Sequence, residues 1–283
     1  MSNEKVARKA LKEAGFRFTH SLGQNFLLND GVIGKIVRAS EVGPDDNVLE
    51  IGAGCGILTA ALMERGARVL ALELDTSLAP ILDRVAPGAR VVFGDALKVD
   101  LPALCREAFG ENAALKVVSN LPYYITADLV AMLCRAPLDI GSILVMVQKE
   151  AALRMTAQPG EKEYGLLTAT IAWYGRADIL FDVPPGAFTP SPHVMSALLR
   201  IVRHPSPPFA VADEGMMHKV LSAAFAMRRK TLVNNLCAAF LINREEAGQL
   251  LADCGLDPKV RGEALSLGEM ARIANALRER RTL

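Results

Sequence analysis

No stretch of eighteen or more apolar residues occurs in the 283-residue chain, and the opening MSNEKVARKALKEAG is charged, with no apolar run ahead of a small-residue cleavage site. No transmembrane span and no secretory leader are read from this pattern, so a soluble, unexported, cytoplasmic protein without a membrane partner is expected. The five cysteines (Cys55, Cys105, Cys134, Cys237, Cys254) are odd in number and form no C-x-x-C pair. Neither a disulfide framework nor a zinc site is suggested, and reduced, buried thiols are expected. Internal repeats and low-complexity segments are lacking too. With 51% apolar residues, the chain can build a substantial core, which sets disorder aside.

Net charge is nearly absent at +1, but its distribution is uneven. Residues 1–40 hold 7 Lys/Arg against 3 Asp/Glu, residues 41–203 hold 14 against 19, and residues 204–283 hold 11 against 9. Two basic ends flank an acidic middle, which permits a polyanionic partner without requiring one.

Between Asn47 and Gln148, short β-branched runs (NVLEI, RVLALEL, RVVFG, KVVSN, SILVMVQ) alternate with helical patterns over Gly56–Arg65, Ser77–Val85, Leu101–Phe109 and Thr126–Cys134. That alternation predicts an α/β fold with a mostly parallel sheet. The later runs LLTATIAWYG, ADILFDV and VMSALLRIV read as strands closing the sheet with an antiparallel edge. The four prolines of PPGAFTPSP, Pro184 to Pro192, predict an exposed, stiff connection. RHPSPP, Arg203 to Pro208, reads as a linker. Beyond it lie four helical patterns: Ala212–Met227, Thr231–Phe240, Arg244–Cys254 and Leu267–Arg280. The expected domains are an α/β body over 1–203 and a small all-α domain over 204–283.

VLEIGAGCGILTAAL is a strand, a G-x-G-x-G turn (Gly52, Gly54, Gly56) and a helix start, a backbone that lets a ligand approach closely. Glu73 ends the next strand, twenty-one residues after Gly52, where a carboxylate can accept ribose hydroxyls. A nicotinamide dinucleotide is the rival ligand, but Ile57 stands where its third glycine belongs. A ligand with one nucleoside and no pyrophosphate fits better, and S-adenosylmethionine is such a ligand. Asp95, past the third strand, can accept from an adenine amino group or simply cap a helix. Glu50 points towards the same rim.

NLPY follows the fourth strand. The Asn120 side-chain oxygen and the Leu121 carbonyl can accept from the two N–H groups of an exocyclic amine, and Pro122 stiffens the turn. Such bonds favour a pyramidal nitrogen whose lone pair meets a methyl group. Tyr123 offers a flat face to the base. Phe188 is either a second stacking face or a loop phenylalanine packed on the core. A base held between two rings must first be unstacked, so a flipped or single-stranded substrate is implied. Positioning carries the catalysis, and no metal is required.

LGQNFL, VLEIGAGCGILTAAL, ALELD, GDAL, NLPYYI, QKE, FTPSPHV and AFAMRRKTLVNNL occur in this order and closely resemble the KsgA (RsmA) family of small-subunit ribosomal RNA adenine dimethyltransferases, over Leu22 to Ala274. The resemblance implies a Rossmann-like class I methyltransferase domain and a helical RNA-recognition domain. It also implies S-adenosylmethionine contact from Asn25, Leu27, Gly52, Gly54, Glu73, Asp95 and Asn120, and adenine contact from Asn120, Leu121, Pro122, Tyr123 and Phe188. The implied reaction is N6,N6-dimethylation of two adjacent adenines in the 3′-terminal hairpin of 16S rRNA, within a pre-small-subunit particle and by a monomer. HSLGQNFLLND would fold over the cofactor, beyond its plain reading as a helix start capped by Asn29 or Asp30. Arg228, Arg229 and Lys230 are RNA-binding candidates. Lys5, Arg8, Lys9 and Lys12 either reach RNA or form a solvated helix face. His193 and Met195 depart from the family's usual lysine and aspartate. The alternatives are a macrolide-resistance type 23S rRNA methyltransferase, a non-catalytic RNA-binding assembly or transcription factor, and a nicotinamide-dependent dehydrogenase.

Overall fold

The computed structural model describes residues 2–19 and 23–280. Two compact units divide the chain: Met1–Ala152 with Ala177–Arg203, and Leu153–Arg176 with His204–Leu283. The strands are β1 (Phe26–Leu27), β2 (Asn47–Ile51), β3 (Arg68–Glu73), β4 (Arg90–Phe93), β5 (Leu115–Asn120), β6 (Ile140–Gln148), β7 (Gly175–Val183), β8 (Phe188–Thr189) and β9 (Ser196–Arg203).

Seven of them form one sheet in the order β4-β3-β2-β5-β6-β9-β7, and β1 pairs with β8 in a separate ladder. The first five run parallel, and β9 adds antiparallel to β6. Central strands buried on both faces need continuous apolar runs. Val48, Leu49, Leu70, Ala71, Val117 and Val118 accordingly lie in the core. The chain winds outward from β2 through β3 to β4, then returns to the other side of β2 as β5, so a topological switch point falls between β2 and β5. There the two strands part. Their ladder ends at Leu49 opposite Val117, and the buried Ser119 hydroxyl accepts the Ile51 N–H at 2.8 Å in place of a backbone carbonyl.

Two expectations are corrected. LLTATIAWYG is not a strand: Leu166–Tyr174 is a helix with Thr168, Ala169, Thr170, Ile171 and Trp173 buried. Its β-branched content mimics a strand, but it is apolar on all sides, and periodicity alone does not separate a buried helix from a buried strand. Ala169 and Trp173 pack with Met217, Val220 and Leu221 of the helix Glu214–Ala226, so residues 153–176 join the helical unit although they precede the linker. The proline-rich loop is not exposed throughout either. Leu27 pairs with Phe188, and Ala187 and Phe188 are buried. Two residues of ladder pin this segment despite its prolines, because the prolines flank the paired residues.

In the helical unit the backbone of Gly262 lies against the Ala224 carbonyl, which also accepts from Asn235 Nδ2 at 3.1 Å. A β-carbon at Gly262 would overlap that carbonyl. Arg244–Asp253 begins with a reciprocal cap: Asn243 Oδ1 accepts the Glu246 N–H, and the Glu246 carboxylate accepts the Asn243 N–H.

Gly262→Ala is expected to destabilise the protein by about 1–3 kcal/mol, because backbone rather than a movable side chain must give way. Ser119→Ala leaves the Ile51 N–H buried without its acceptor and is expected to cost about 1–3 kcal/mol. Denaturant unfolding of both variants beside the wild type checks the two values. An unchanged midpoint in either refutes that reading.

Candidate active site

An open cleft lies at the C-terminal ends of β2, β3 and β5. Gly52, Gly54, Glu73, Asp95, Asn25, Leu27 and the corner Asn120–Tyr123 all line it. Gln24, Phe26, Leu74, Ala96 and Tyr124 line it as well and were not singled out. Gly52 and Gly54 both have positive φ, +79° and +55°. A β-carbon at Gly54 would sit 3.2 Å from the Phe26 ring, and one at Gly52 would sit 3.4 Å from Pro122 Cδ. These two glycines thus serve a left-handed backbone and close internal packing together.

Phe26 is held by Phe16 and Phe18, whose ring centroids lie 5.7 and 5.3 Å away. Gln24 accepts the Thr19 N–H and donates to Asp75 Oδ2 at 2.6 Å, which ties the N-terminal strap to the end of β3. Asn29 caps the helix Asp30–Ala39 by accepting the Val32 N–H. His20, Ser21 and Leu22 of the predicted cofactor-covering segment lie outside the described residues.

Glu73 organises the turn. Its carboxylate accepts the Gly54 N–H at 2.7 Å, the Leu74 N–H at 2.8 Å and the Asp75 N–H at 2.9 Å. An ionised carboxylate has about four lone-pair sites. Three are occupied by these backbone donors, which leaves one for a further donor. Burial raises Glu73 above its ordinary value, against the three N–H donors that lower it. Glu50 is buried beside it. Desolvation pushes Glu50 up to about 8, opposed by the Thr59 hydroxyl that donates to it at 2.6 Å and assisted by the charge of Glu73. Near neutrality Glu50 holds its proton. Asp95 lines the cleft but caps no helix: it accepts the Leu97 N–H at 3.0 Å within a turn, and the next helix, Leu101–Phe109, is capped by Asp100. The Lys98 ammonium at 2.9 Å and that N–H lower its value.

At the end of β5, Asn120 Nδ2 donates to the Asn25 carbonyl at 3.4 Å. Its Oδ1 is buried with no hydrogen-bond partner among the described residues. A buried acceptor without a donor costs about 1–3 kcal/mol, so its persistence beside a cleft points to a donor that arrives with a ligand. The Pro122 carbonyl accepts the Ile125 N–H and the Thr126 hydroxyl, which locks the turn. Tyr123 is anchored by its hydroxyl, 2.8 Å from the buried Ser196 Oγ at the start of β9. Phe188 is not brought into the cleft lining: it is 4% exposed and packs in the core beneath the β1–β8 ladder, the plainer of its two readings.

In the helical unit, Arg228 is engaged by the Lys162 carbonyl at 2.8 Å and by Glu263 at 3.5 Å. The side chains of Arg229 and Lys230 are exposed and make no hydrogen bond or ion pair among the described residues. On the first helix, Arg8 pairs with Glu4 and Lys9 with Glu13, the arrangement of a solvated face. His193 and Met195 are exposed, and Met195 contributes only its carbonyl, to the Lys149 N–H.

The raised Glu50 value has a signed consequence. Between its ordinary 4.5 and about 8, the folded chain keeps a proton that the unfolded chain has lost, so wild-type stability falls as pH rises through that window. Glu50→Gln removes the titration, and the melting temperature of the variant relative to wild type is expected to rise between about pH 5 and about pH 8. A constant difference across that range refutes the assignment.

Among the described residues no helix is long and apolar enough to cross a membrane. Residues 15–279 match the model of the ribosomal RNA adenine dimethylase family. The chain is 41% identical, over 95% of its length and 94% of the relative's, to ribosomal RNA small subunit methyltransferase A of Geobacillus kaustophilus. The crystal structure of a dimethyladenosine transferase from Plasmodium falciparum superposes with a TM-score of 0.70 at 23% identity, covering 87% of this chain and 94% of that one. The 23S rRNA methyltransferase ErmE superposes with a TM-score of 0.65 at 26% identity, covering 90% of this chain and all of that one. A glycine turn organised by a buried carboxylate, an Asn-Leu-Pro-Tyr corner with an unmet acceptor, and a full-length match in sequence agree: the chain belongs to the ribosomal RNA adenine dimethylase family.

Proposed function

We propose that this chain transfers methyl groups from S-adenosylmethionine to N6 of two adjacent adenines in the 3′-terminal hairpin loop of 16S rRNA, within a pre-small-subunit particle, as a monomer. The observation that carries the proposal is the buried, unpartnered Asn120 Oδ1 at the rim of the cleft. Identity of 41% to a small-subunit enzyme, against 26% to ErmE, favours 16S over 23S rRNA. S-adenosylmethionine, when bound, supplies an electrophilic methyl group on a positively charged sulfur. Its ribose would use the remaining acceptor site on Glu73, and its adenine amino group would reach Asp95.

The protein's own work is positioning. Asn120 Oδ1 and the Leu121 carbonyl each accept one N–H of the target amine, which withdraws its lone pair from the ring and aims it along the transfer axis. The Leu121 carbonyl makes no hydrogen bond among the described residues, so it is available for this. As the N–C bond forms and the S–C bond breaks, the nitrogen becomes acidic and its proton passes to solvent. Tyr123, tethered to Ser196, keeps the base plane fixed. Phe188 would complete the stack only after leaving the core, so base entry would be coupled to opening of the β1–β8 ladder. Arg229 and Lys230, with Arg228, would hold RNA phosphates through the helical domain, which makes binding weaken as salt rises.

The test is transfer of labelled methyl groups to small subunits from cells lacking this modification, with large subunits in parallel. Dimethyladenine at the 3′-terminal hairpin is expected. Asn120→Ala is expected to lower kcat by about 100-fold or more at saturating cofactor, since misplacement of a reacting group costs rate on that scale. Label in large subunits alone would move the assignment to 23S rRNA. No label in either, despite cofactor binding, would indicate a non-catalytic assembly factor.

A further inference from the structure

We infer that Tyr124 is a platform for a second nucleobase, the one adjacent to the target in the RNA, and that it sets how tightly the substrate strand is held. This rests on the proposed adenine-methylating role of the cleft. Tyr124 lines the same cleft as Tyr123, yet its side chain is 54% exposed and its hydroxyl has no partner among the described residues. It is held all the same. The turn Tyr123–Ile125 is locked by the Pro122 carbonyl, and the ring lies on Gly23, where a β-carbon would come within 3.3 Å of Tyr124 Cδ1. Gly23 itself has φ +60°, so both its backbone and its missing side chain leave room for this ring.

Geometry separates the two tyrosines. In a 3₁₀ turn successive side chains diverge by about 120°, so Tyr124 does not form the opposite wall of the slot that Tyr123 opens. It faces a different part of the bound strand. Drawing one base into the Asn120 corner strips its neighbour of a stacking partner. An exposed aromatic ring beside the corner can replace that partner, and such stacking tolerates any base because every base has a π-face. The simpler account of Tyr124 is a solvated surface tyrosine, and the two accounts make opposite forecasts.

The experiment uses the whole enzyme and small subunits reconstituted with an rRNA whose synthetic 3′ segment is either normal or abasic next to the target. Tyr124→Ala is expected to raise KM for the normal subunit by about tenfold, the order of one lost base–aromatic stack, with kcat and cofactor affinity little changed. The abasic subunit is expected to raise KM similarly for the wild type and to add nothing for Tyr124→Ala. Tyr124→Phe, which keeps the ring, is expected to restore wild-type KM, which separates stacking from a folding defect. Equal KM values for wild type and Tyr124→Ala, or an abasic penalty that persists in the variant, would overturn the inference while leaving the methylation reading intact. No transfer by the wild type to the normal subunit would overturn the methylation reading, and the platform with it.

Discussion

The parting of β2 from β5 is the constraint on which this protein's chemistry depends. Parallel strands bond through evenly spaced backbone groups, and a sheet that stayed paired to its ends would leave no crevice. Here the ladder stops two residues short of the end of β2, and one side chain, Ser119, supplies the acceptor that the neighbouring backbone no longer offers. The strands diverge without stranding the Ile51 N–H in the core. The glycine turn then enters from one side of the gap and the Asn-Leu-Pro-Tyr corner from the other, close enough that Pro122 Cδ would lie 3.4 Å from a β-carbon on Gly52. Both halves of the site are positioned by strands, which makes their separation a property of the sheet rather than of flexible loops.

Electrostatics follow from that placement. Glu73 ends β3 and Glu50 is the penultimate residue of the adjacent β2, both buried, and two like charges there would repel at low dielectric. The environment pushes them apart in role. Glu73 collects three backbone N–H groups and stays an acceptor, whereas Glu50 has one hydroxyl donor and keeps its proton. Asp95 is more exposed and further balanced by Lys98, so it contributes geometry more than field.

Much of this was legible from sequence because period and spacing are local properties. Alternating β-branched runs and helical patterns identify a parallel sheet, and a glycine turn followed at a fixed interval by Glu73 identifies a nucleoside rim. What escaped depends on three-dimensional surroundings. The helix Leu166–Tyr174 was mistaken for a strand because burial on all sides erases its periodicity. Its allegiance to the helical unit is decided by Trp173 and Met217, which are distant in sequence. Phe188 reads as a stacking residue from its motif, but a two-residue ladder to β1 draws it into the core. Gln24 carries no chemical signature until Asp75 is found 2.6 Å from it. The occupancy of three of Glu73's acceptor sites is likewise invisible until the turn is folded.

The residue at position 120 shows why an amide, and not a carboxylate, suits this corner. Its oxygen is buried within a rim that already holds Glu73, so a second fixed charge would either repel or take up a proton. A protonated acid would present an O–H where an acceptor is needed. A neutral amide avoids both outcomes: Nδ2 is spent on the Asn25 carbonyl, which fixes the flip, and Oδ1 is left as an acceptor without a partner among the described residues. The cost is an unmet buried acceptor, about 1–3 kcal/mol held in the folded protein before any ligand arrives. A molecule that brings a hydrogen-bond donor to this point would repay that cost, and in the proposed role that donor is the target amine.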